Sequence, residues 1–234
     1  MSSSSVTQQP SRRPVGDALE HRPARSTVPL AWAGIIGPVL FTAVFLAQEA
    51  FLVHDYSPLA EPVSALEAQP HGWVQQINFV AFGLLTIAFA VGLGRGVRPT
   101  RAGAAGPALF LVSGVGLLGA AIFPLSKDAT GVTIFPVGHV IAGNAFFLSS
   151  ALALIVVSLR LRRDPRWRGL ATYTLAAGIA VVAGGIVMNV LVIPDDASLH
   201  DFAGLAQRLI ILVVLFPCRI ALSLRLLRVA SGRR

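Results

Sequence analysis

The residues of this chain that could bind a ligand or transfer a proton are polar side chains placed inside long apolar segments. His139 opens one such segment, Gln207 and Arg208 open another, and Asn78 lies near the start of a third. A polar group at membrane depth costs free energy unless it meets a partner, so these side chains should turn inward. We therefore expect His139, Asn78 and Arg208 to border one shared cavity, with a ligand as its occupant.

Arg208 carries the strongest single signal among these residues. Ten apolar or small residues separate it from Arg219, which is about 16 Å along a helix and less than the thickness of the hydrocarbon core. The two arginines should then extend toward opposite polar layers. Arg208 either forms a structural ion pair or binds the anionic head group of a ligand. The acids available to pair with it are Glu49, Glu61, Asp195, Asp196 and Asp201.

Three residues near the same end of the segments could support catalysis. Glu49 and Glu61 could donate a proton, and His139 could act as a base or a metal ligand. His139 could equally be a hydrogen-bonded structural histidine. A zinc site needs three or four converging ligands, and no two histidines are one helical turn apart. We therefore predict no metal site and no cofactor.

The longest connection, residues 52–72, contributes Tyr56, Glu61 and Ser64 to the candidate site. Glu67 follows Ser64 by three residues, which is the spacing of a helix capping box. Apolar residues recur at i, i+4 and i+7 along the same stretch, as in a short amphipathic helix. The pattern predicts a helix that lies on the outer membrane surface and closes the cavity as a lid.

Six apolar segments must position these residues. Each is about 20 residues long, enough to cross the hydrocarbon core as a helix, and the segments are continuously apolar rather than alternating. Charged residues make up 13% of the chain, about half the share in soluble domains. We predict an all-α polytopic membrane protein with six transmembrane helices in three outward-opening hairpins, the segments being 27–51, 74–93, 104–123, 137–159, 169–193 and 204–227.

The net charge of +8 is explained by membrane topology. Arginines concentrate before the first segment and after the second, the fourth and the sixth. The connections that follow the first, third and fifth segments contain one lysine, Lys127, and no arginine. Short basic connections stay in the cytoplasm, which predicts a multi-pass protein of the plasma membrane with both termini inside and no nucleic-acid partner. The domain boundaries are then a disordered basic tail over 1–26, a membrane domain over 27–228 and a basic tail over 229–234.

Seven short motifs follow one another along the segments and the connections between them. They are Gly37-Pro38, Tyr56-Ser57, Pro62-Val63-Ser64-Ala65-Leu66, Gly72-Trp73, Phe123-Pro124, Gly138-His139 and Gly204-Leu205-Ala206-Gln207-Arg208. Their order resembles the family of prokaryotic membrane proteins called domain of unknown function 998, except that Ala65 stands where an acidic residue is expected. The resemblance implies six helices and an outward-facing polar cluster, and it implies no activity.

The leading hypothesis for function is a pocket at the outer leaflet that binds a membrane lipid or a small ligand. The alternative is an outer-leaflet enzyme that acts on a lipid or isoprenoid by acid–base or metal-assisted chemistry, and a second alternative is a small transporter. The ligand-binding candidates are Tyr56, Glu61, Ser64, Asn78, His139, Gln207 and Arg208.

Overall fold

Six helices in the described part of the chain are long and apolar enough to cross a membrane, which confirms the predicted all-α polytopic architecture. The structure, a computed structural model, describes residues 26–52, 55–97, 103–192 and 197–232. The predicted N-terminal tail lies outside these ranges up to residue 25. Residues 233–234 of the predicted C-terminal tail, and the candidate acids Asp195 and Asp196, also lie outside them.

The observed helices follow the predicted segments closely: the second, fourth and sixth extend beyond them, and the third is one residue shorter at each end. The first five spans are α1 (Thr27–Phe51), α2 (Trp73–Gly96), α3 (Ala105–Ile122), α4 (Val137–Leu161) and α5 (Arg168–Val187), and α5 continues as a π-helix over Met188–Val192. The sixth span consists of α6 (Ala203–Arg208), a π-helix (Leu209–Leu215) and α7 (Phe216–Ser231). Arg95 and Arg160 occupy the last turns of α2 and α4, where a cation interacts favourably with the helix dipole. Residues 229–231 of the predicted C-terminal tail are helical.

The connections at one end of the bundle have structure of their own. They contain a 3₁₀-helix (Val63–Ala68), a two-stranded antiparallel sheet of β1 (Ser126–Lys127) and β2 (Thr133–Ile134), and a short 3₁₀-helix (His200–Phe202). We call this end, formed by residues 55–72, 123–136 and 197–202, the hairpin end. The opposite end, which carries residues 103–104 and 162–167, is called the arginine end.

The spans pack in a ring, because each helix contacts the next along the chain and α7 returns to α1. Four phenylalanines from four spans meet inside this ring. Phe82 stacks on Phe41 with 4.8 Å between ring centroids, and it contacts Phe216 at 5.3 Å and Phe146 at 6.0 Å. Aromatic pairs of this kind contribute about 0.5–1.5 kcal/mol each beyond the area they bury. The phenylalanine cluster therefore holds the first, second, fourth and sixth spans together.

Arg219 in α7 corrects one prediction, because its side chain does not extend to a polar layer. It turns into the bundle, is 2% exposed, and donates from Nη1 to Thr86 Oγ1 at 2.7 Å. Its guanidinium lies 4.9 Å from the ring centroid of Phe82 and 5.1 Å from that of Phe89. Such cation–π contacts reach about 2 kcal/mol when desolvated and offset part of the cost of burial. The half of the bundle toward the arginine end therefore contains a buried charged side chain.

Candidate functional site

A cavity of about 680 Å³ occupies the half of the bundle toward the hairpin end, with lining residues from all six spans. This volume lies within the range of about 300–1,000 Å³ that is typical of small-molecule sites. Phe41, Phe82, Phe146 and Phe216 of the phenylalanine cluster line it. Its apolar floor is therefore the same cluster that holds four spans together.

The wall between α4 and α5 contains open space. Gly143 of α4 and Gly185 of α5 both line the cavity, and a Cβ atom added at either would meet no heavy atom within 4 Å. Other glycines of the bundle are tightly packed: a Cβ at Gly83 would lie 2.9 Å from the carbonyl oxygen of Gly114. Gly143 and Gly185 consequently leave volume free, whereas Gly83 and Gly114 bring α2 and α3 together.

Both π-helical segments face this cavity. Met188 and Asn189 line it from the segment that ends the fifth span, and Ile210 and Ile211 line it from the segment in the sixth. A π-helix is a rare, widened helical turn, and it occurs frequently at functional sites. Nothing in the sequence indicates either segment, since the apolar composition of both is ordinary for a transmembrane helix.

The lid differs from the predicted surface helix. A short helix does form over Val63–Ala68, but its residues Val63 to Glu67 are buried, and Ser64 lies inside the helix without capping it. The backbone N–H of Val63 donates to Gln207 Oε1 at 2.8 Å, which ties the lid to α6. The capping-box prediction is therefore wrong because Ser64 does not precede the helix, and the surface-helix prediction is wrong because the segment is buried.

Arg208 forms the predicted ion pair with an acid of the first span. Its Nη2 lies 2.5 Å from Glu49 Oε1 and also donates to Tyr56 Oη, while Nη1 donates to the carbonyl oxygens of Glu61 and Gly204, both at 2.9 Å. The Tyr56 hydroxyl in turn donates to the carbonyl oxygen of Glu61 at 3.0 Å. Burial raises the pKa of Tyr56 above its usual range, so this hydroxyl stays protonated. The group joins α1, the lid connection and α6.

The cavity brings together only part of the predicted site. Glu61, Ser64, His139 and Gln207 line it. Tyr56, Asn78, Arg208 and Glu49 are not among its lining residues, and the prediction that Asn78 and Arg208 border it with His139 is wrong.

Hydrogen bonds hold Asn78 and Arg208 away from the cavity. Asn78 is buried and donates from Nδ2 to the carbonyl oxygen of Phe41 at 3.0 Å and to Gln75 Oε1 at 3.1 Å, which binds it to α1 and to its own helix. The guanidinium of Arg208 is engaged with Glu49 and Tyr56, as described above. Both residues therefore have structural partners.

His139 satisfies the end of a neighbouring helix. Its Nδ1 lies 3.0 Å from the carbonyl oxygen of Phe123 and 3.3 Å from that of Ala120, at the C-terminus of α3. The last carbonyl groups of a helix have no partner within that helix, and because a carbonyl only accepts, Nδ1 carries the hydrogen. His139 also lines the cavity, and its Nε2 has no hydrogen-bond partner in the described part of the chain.

Glu67 is a buried acid, although its spacing to Ser64 predicts a capping residue at the start of a helix. Its Oε2 lies 3.4 Å from His139 Nδ1 and accepts a hydrogen bond from the backbone N–H of Leu125 at 3.3 Å. Burial raises the pKa of Glu67 to about 8. Nothing in the sequence indicates that the side chain of Glu67 points inward. Within the described ranges, no three His, Cys, Asp or Glu residues converge as a metal site requires.

Comparison with known families shows a match over most of the chain. The model of the family described as Protein of unknown function (DUF998) matches residues 35–222, from the first turns of α1 into α7. No curated protein and no solved structure matches the chain. The family match takes in most of the chain and parts of all six spans, as the resemblance in the sequence implied. The chain therefore belongs to the DUF998 family of proteins of unknown function.

Proposed function

We propose that this membrane protein binds a lipid or another small amphipathic molecule in the cavity at the hairpin end. The observation that supports this most directly is the arrangement of the lining. Phenylalanines form the floor, and polar side chains, among them Glu61, Ser64, His139 and Gln207, lie closer to the hairpin end. An apolar tail matches the floor, and a polar head group matches the opposite end.

The proposal includes an orientation in the plasma membrane. Arg162 and Arg163 are exposed at the arginine end, and short connections rich in arginine favour the cytoplasmic side. The hairpin end would then face the outside, and the cavity would lie in the outer leaflet. Both termini would be cytoplasmic.

Binding accounts for the cavity better than transport or catalysis does. Below the cavity, the phenylalanine cluster and the buried Arg219 occupy the interior of the described bundle, and this packing disfavours a path toward the arginine end. Of the catalytic candidates, Glu49 is engaged with Arg208 and His139 holds the end of α3. These contacts give both residues structural roles.

Filling the free space beside Gly143 and Gly185 tests the proposal. We expect Gly143→Leu and Gly185→Leu to reduce labelling by a photoactivatable monoacylglycerol at least about tenfold, since each side chain would occupy the volume meant for the tail. Gly169→Leu is the matched control: a Cβ there also meets no atom within 4 Å, and Gly169 does not line the cavity. Leucine favours a helix over glycine, so all three variants should fold.

The measurement is covalent labelling of the protein in membranes, followed by native mass spectrometry of the purified variants for bound lipid. Loss of label in both cavity variants, with the control unchanged, would support the proposal. Equal labelling of the cavity variants and the control would refute it.

A further inference from the structure

We infer that the cavity selects an amphiphile whose head group donates hydrogen bonds and carries no negative charge, such as the hydroxyl groups of a glycerol. This inference rests on the proposed function and specifies the ligand class of the same site. It follows from how the polar groups that line the cavity use their own donors and acceptors.

The two asparagines of the lining present acceptors. Asn144 donates from Nδ2 to the carbonyl oxygen of Val140 at 2.9 Å, and Asn189 donates from Nδ2 to that of Gly185 at 2.8 Å. In each case an amide N–H bonds to the residue's own helix, four positions back. Both side chains are exposed, and the Oδ1 atom of each has no partner in the described part of the chain. Each Oδ1 is then free to accept a bond from a ligand.

The two histidines of the lining are arranged in the same way. The Nδ1 atoms of His139 and His200 both face backbone carbonyl oxygens, that of His200 lying 3.1 Å from the oxygen of Val192. Because a carbonyl only accepts, a ring that carries one hydrogen holds it on Nδ1, and its Nε2 is left as an acceptor. Two amide oxygens and two imidazole nitrogens thus remain available as acceptors.

The charge of the lining disfavours an anion. Among the described residues that line the cavity there is no lysine or arginine, and the one carboxylate is that of Glu61. At the same end of the bundle, Arg208 makes four hydrogen bonds within the protein and Lys127 Nζ donates to Gln69 Oε1 at 2.8 Å. A phosphate head group would lose its hydration without gaining a cation, and it would approach Glu61.

The remaining donors of the lining are neutral. They include the Nε2 group of Gln207 and the hydroxyl of Ser64, for which no partner is present among the described residues. A glycerol or alcohol head group can both donate to the four acceptors and accept from these donors. A phosphate monoester, which carries about −1.5 to −2 charges at neutral pH, offers almost no hydrogen to donate.

Two lipids that differ only by a phosphate test the inference. Monoolein and oleoyl lysophosphatidic acid share one acyl chain and a glycerol. We expect monoolein to displace the photoactivatable monoacylglycerol from the wild-type protein at a concentration about tenfold lower than lysophosphatidic acid needs, since leaving a charged group without a partner costs about this factor or more. The assay is performed on the full-length protein in nanodiscs at neutral pH.

Placing a cation in the lining should change the preference. In Asn189→Arg, the concentration of lysophosphatidic acid that displaces the probe should lie within about threefold of that of monoolein, because the phosphate gains a charged partner at the cost of one acceptor. Ser198→Arg adds the same charge at an exposed position of the hairpin end outside the lining and should keep the tenfold preference. Thermal unfolding of both variants verifies that they are folded.

The outcomes separate this inference from the proposed function. If the wild type is labelled, Gly185→Leu abolishes labelling, and lysophosphatidic acid competes as well as monoolein or better, the head-group inference is overturned while the binding site stands. If neither lipid displaces the probe and Gly185→Leu is labelled like the wild type, the proposed function fails and this inference fails with it.

Discussion

Removing the charge of Arg208 should destabilise the protein by about 3 kcal/mol. The two side chains of the Arg208–Glu49 pair are each 10% exposed. Breaking a buried pair from one side costs about 3–5 kcal/mol because it leaves a lone charge, and the residual exposure places this pair at the lower end. Arg208→Gln would leave Glu49 as that lone charge and would also weaken the bonds to Tyr56, Glu61 and Gly204.

Thermal unfolding in detergent measures this effect. For a chain of this size, about 1 kcal/mol corresponds to about 2–4 °C, so Arg208→Gln should lower the midpoint by about 6–12 °C. Arg228→Ala is the control, since Arg228 is an exposed residue at the other end of the same span. Its midpoint should stay within about 1–2 °C of the wild type, as is usual for surface substitutions.

The double variant decides whether the pair itself is responsible. Glu49→Gln alone should lower the midpoint about as much as Arg208→Gln, because it leaves the guanidinium without its carboxylate. Glu49→Gln with Arg208→Gln leaves no lone charge, so its loss should be clearly smaller than the sum of the two single losses. Strictly additive losses would show that the two residues do not stabilise each other, and the reasoning on burial would be refuted.

Three further outcomes are expected. In the proposed orientation, a membrane-impermeant thiol reagent applied outside cells should label Asp55→Cys and spare Arg163→Cys, two exposed positions at opposite ends; the reverse pattern would invert the topology. Arg219→Met should raise the unfolding midpoint, because it removes a buried charge without a carboxylate partner in the described chain; a clear decrease would contradict this. Burial raises the pKa of Glu67 from 4.5 to about 8, so the folded state keeps a proton that the unfolded state releases, and stability should fall as pH rises across that interval and then level off. Glu67→Gln should flatten the pH dependence of the unfolding midpoint between about pH 5 and pH 8.5. An unchanged slope would disprove that Glu67 causes this dependence.

The spans and one ion pair follow from the sequence because each depends on a property of single segments. The length of an apolar run decides whether it can cross the membrane, and all six runs form helices that are long and apolar enough to do so. The prediction of an ion pair for Arg208 requires only that an acid lies at the same membrane depth, and Glu49 at the end of α1 is such an acid. Neither inference required the rotation of any helix about its axis.

The features that the sequence did not reveal depend on that rotation. Arg219 extends inward because α7 turns this face toward Thr86 and the phenylalanines of α2, and the position of a residue along a helix carries no such information. The environment of a glycine likewise cannot be read from its position along a helix. Gly83 lies against a backbone, whereas Gly185 borders empty space, although both are glycines within apolar helices. A cavity is volume that no residue fills, so it becomes visible only when all its walls are placed.

The buried guanidinium of Arg219 has a consequence for how the chain enters the bilayer. An arginine near the centre of an isolated helix raises the free energy of insertion by about 2.5–3.5 kcal/mol. Its hydrogen-bond partner Thr86 precedes it by 133 residues, so during synthesis the receiving surface on α2 is already in the membrane when α7 emerges from the ribosome. The last helix can therefore lower its insertion cost by docking directly onto the earlier helices, and its integration is coupled to theirs.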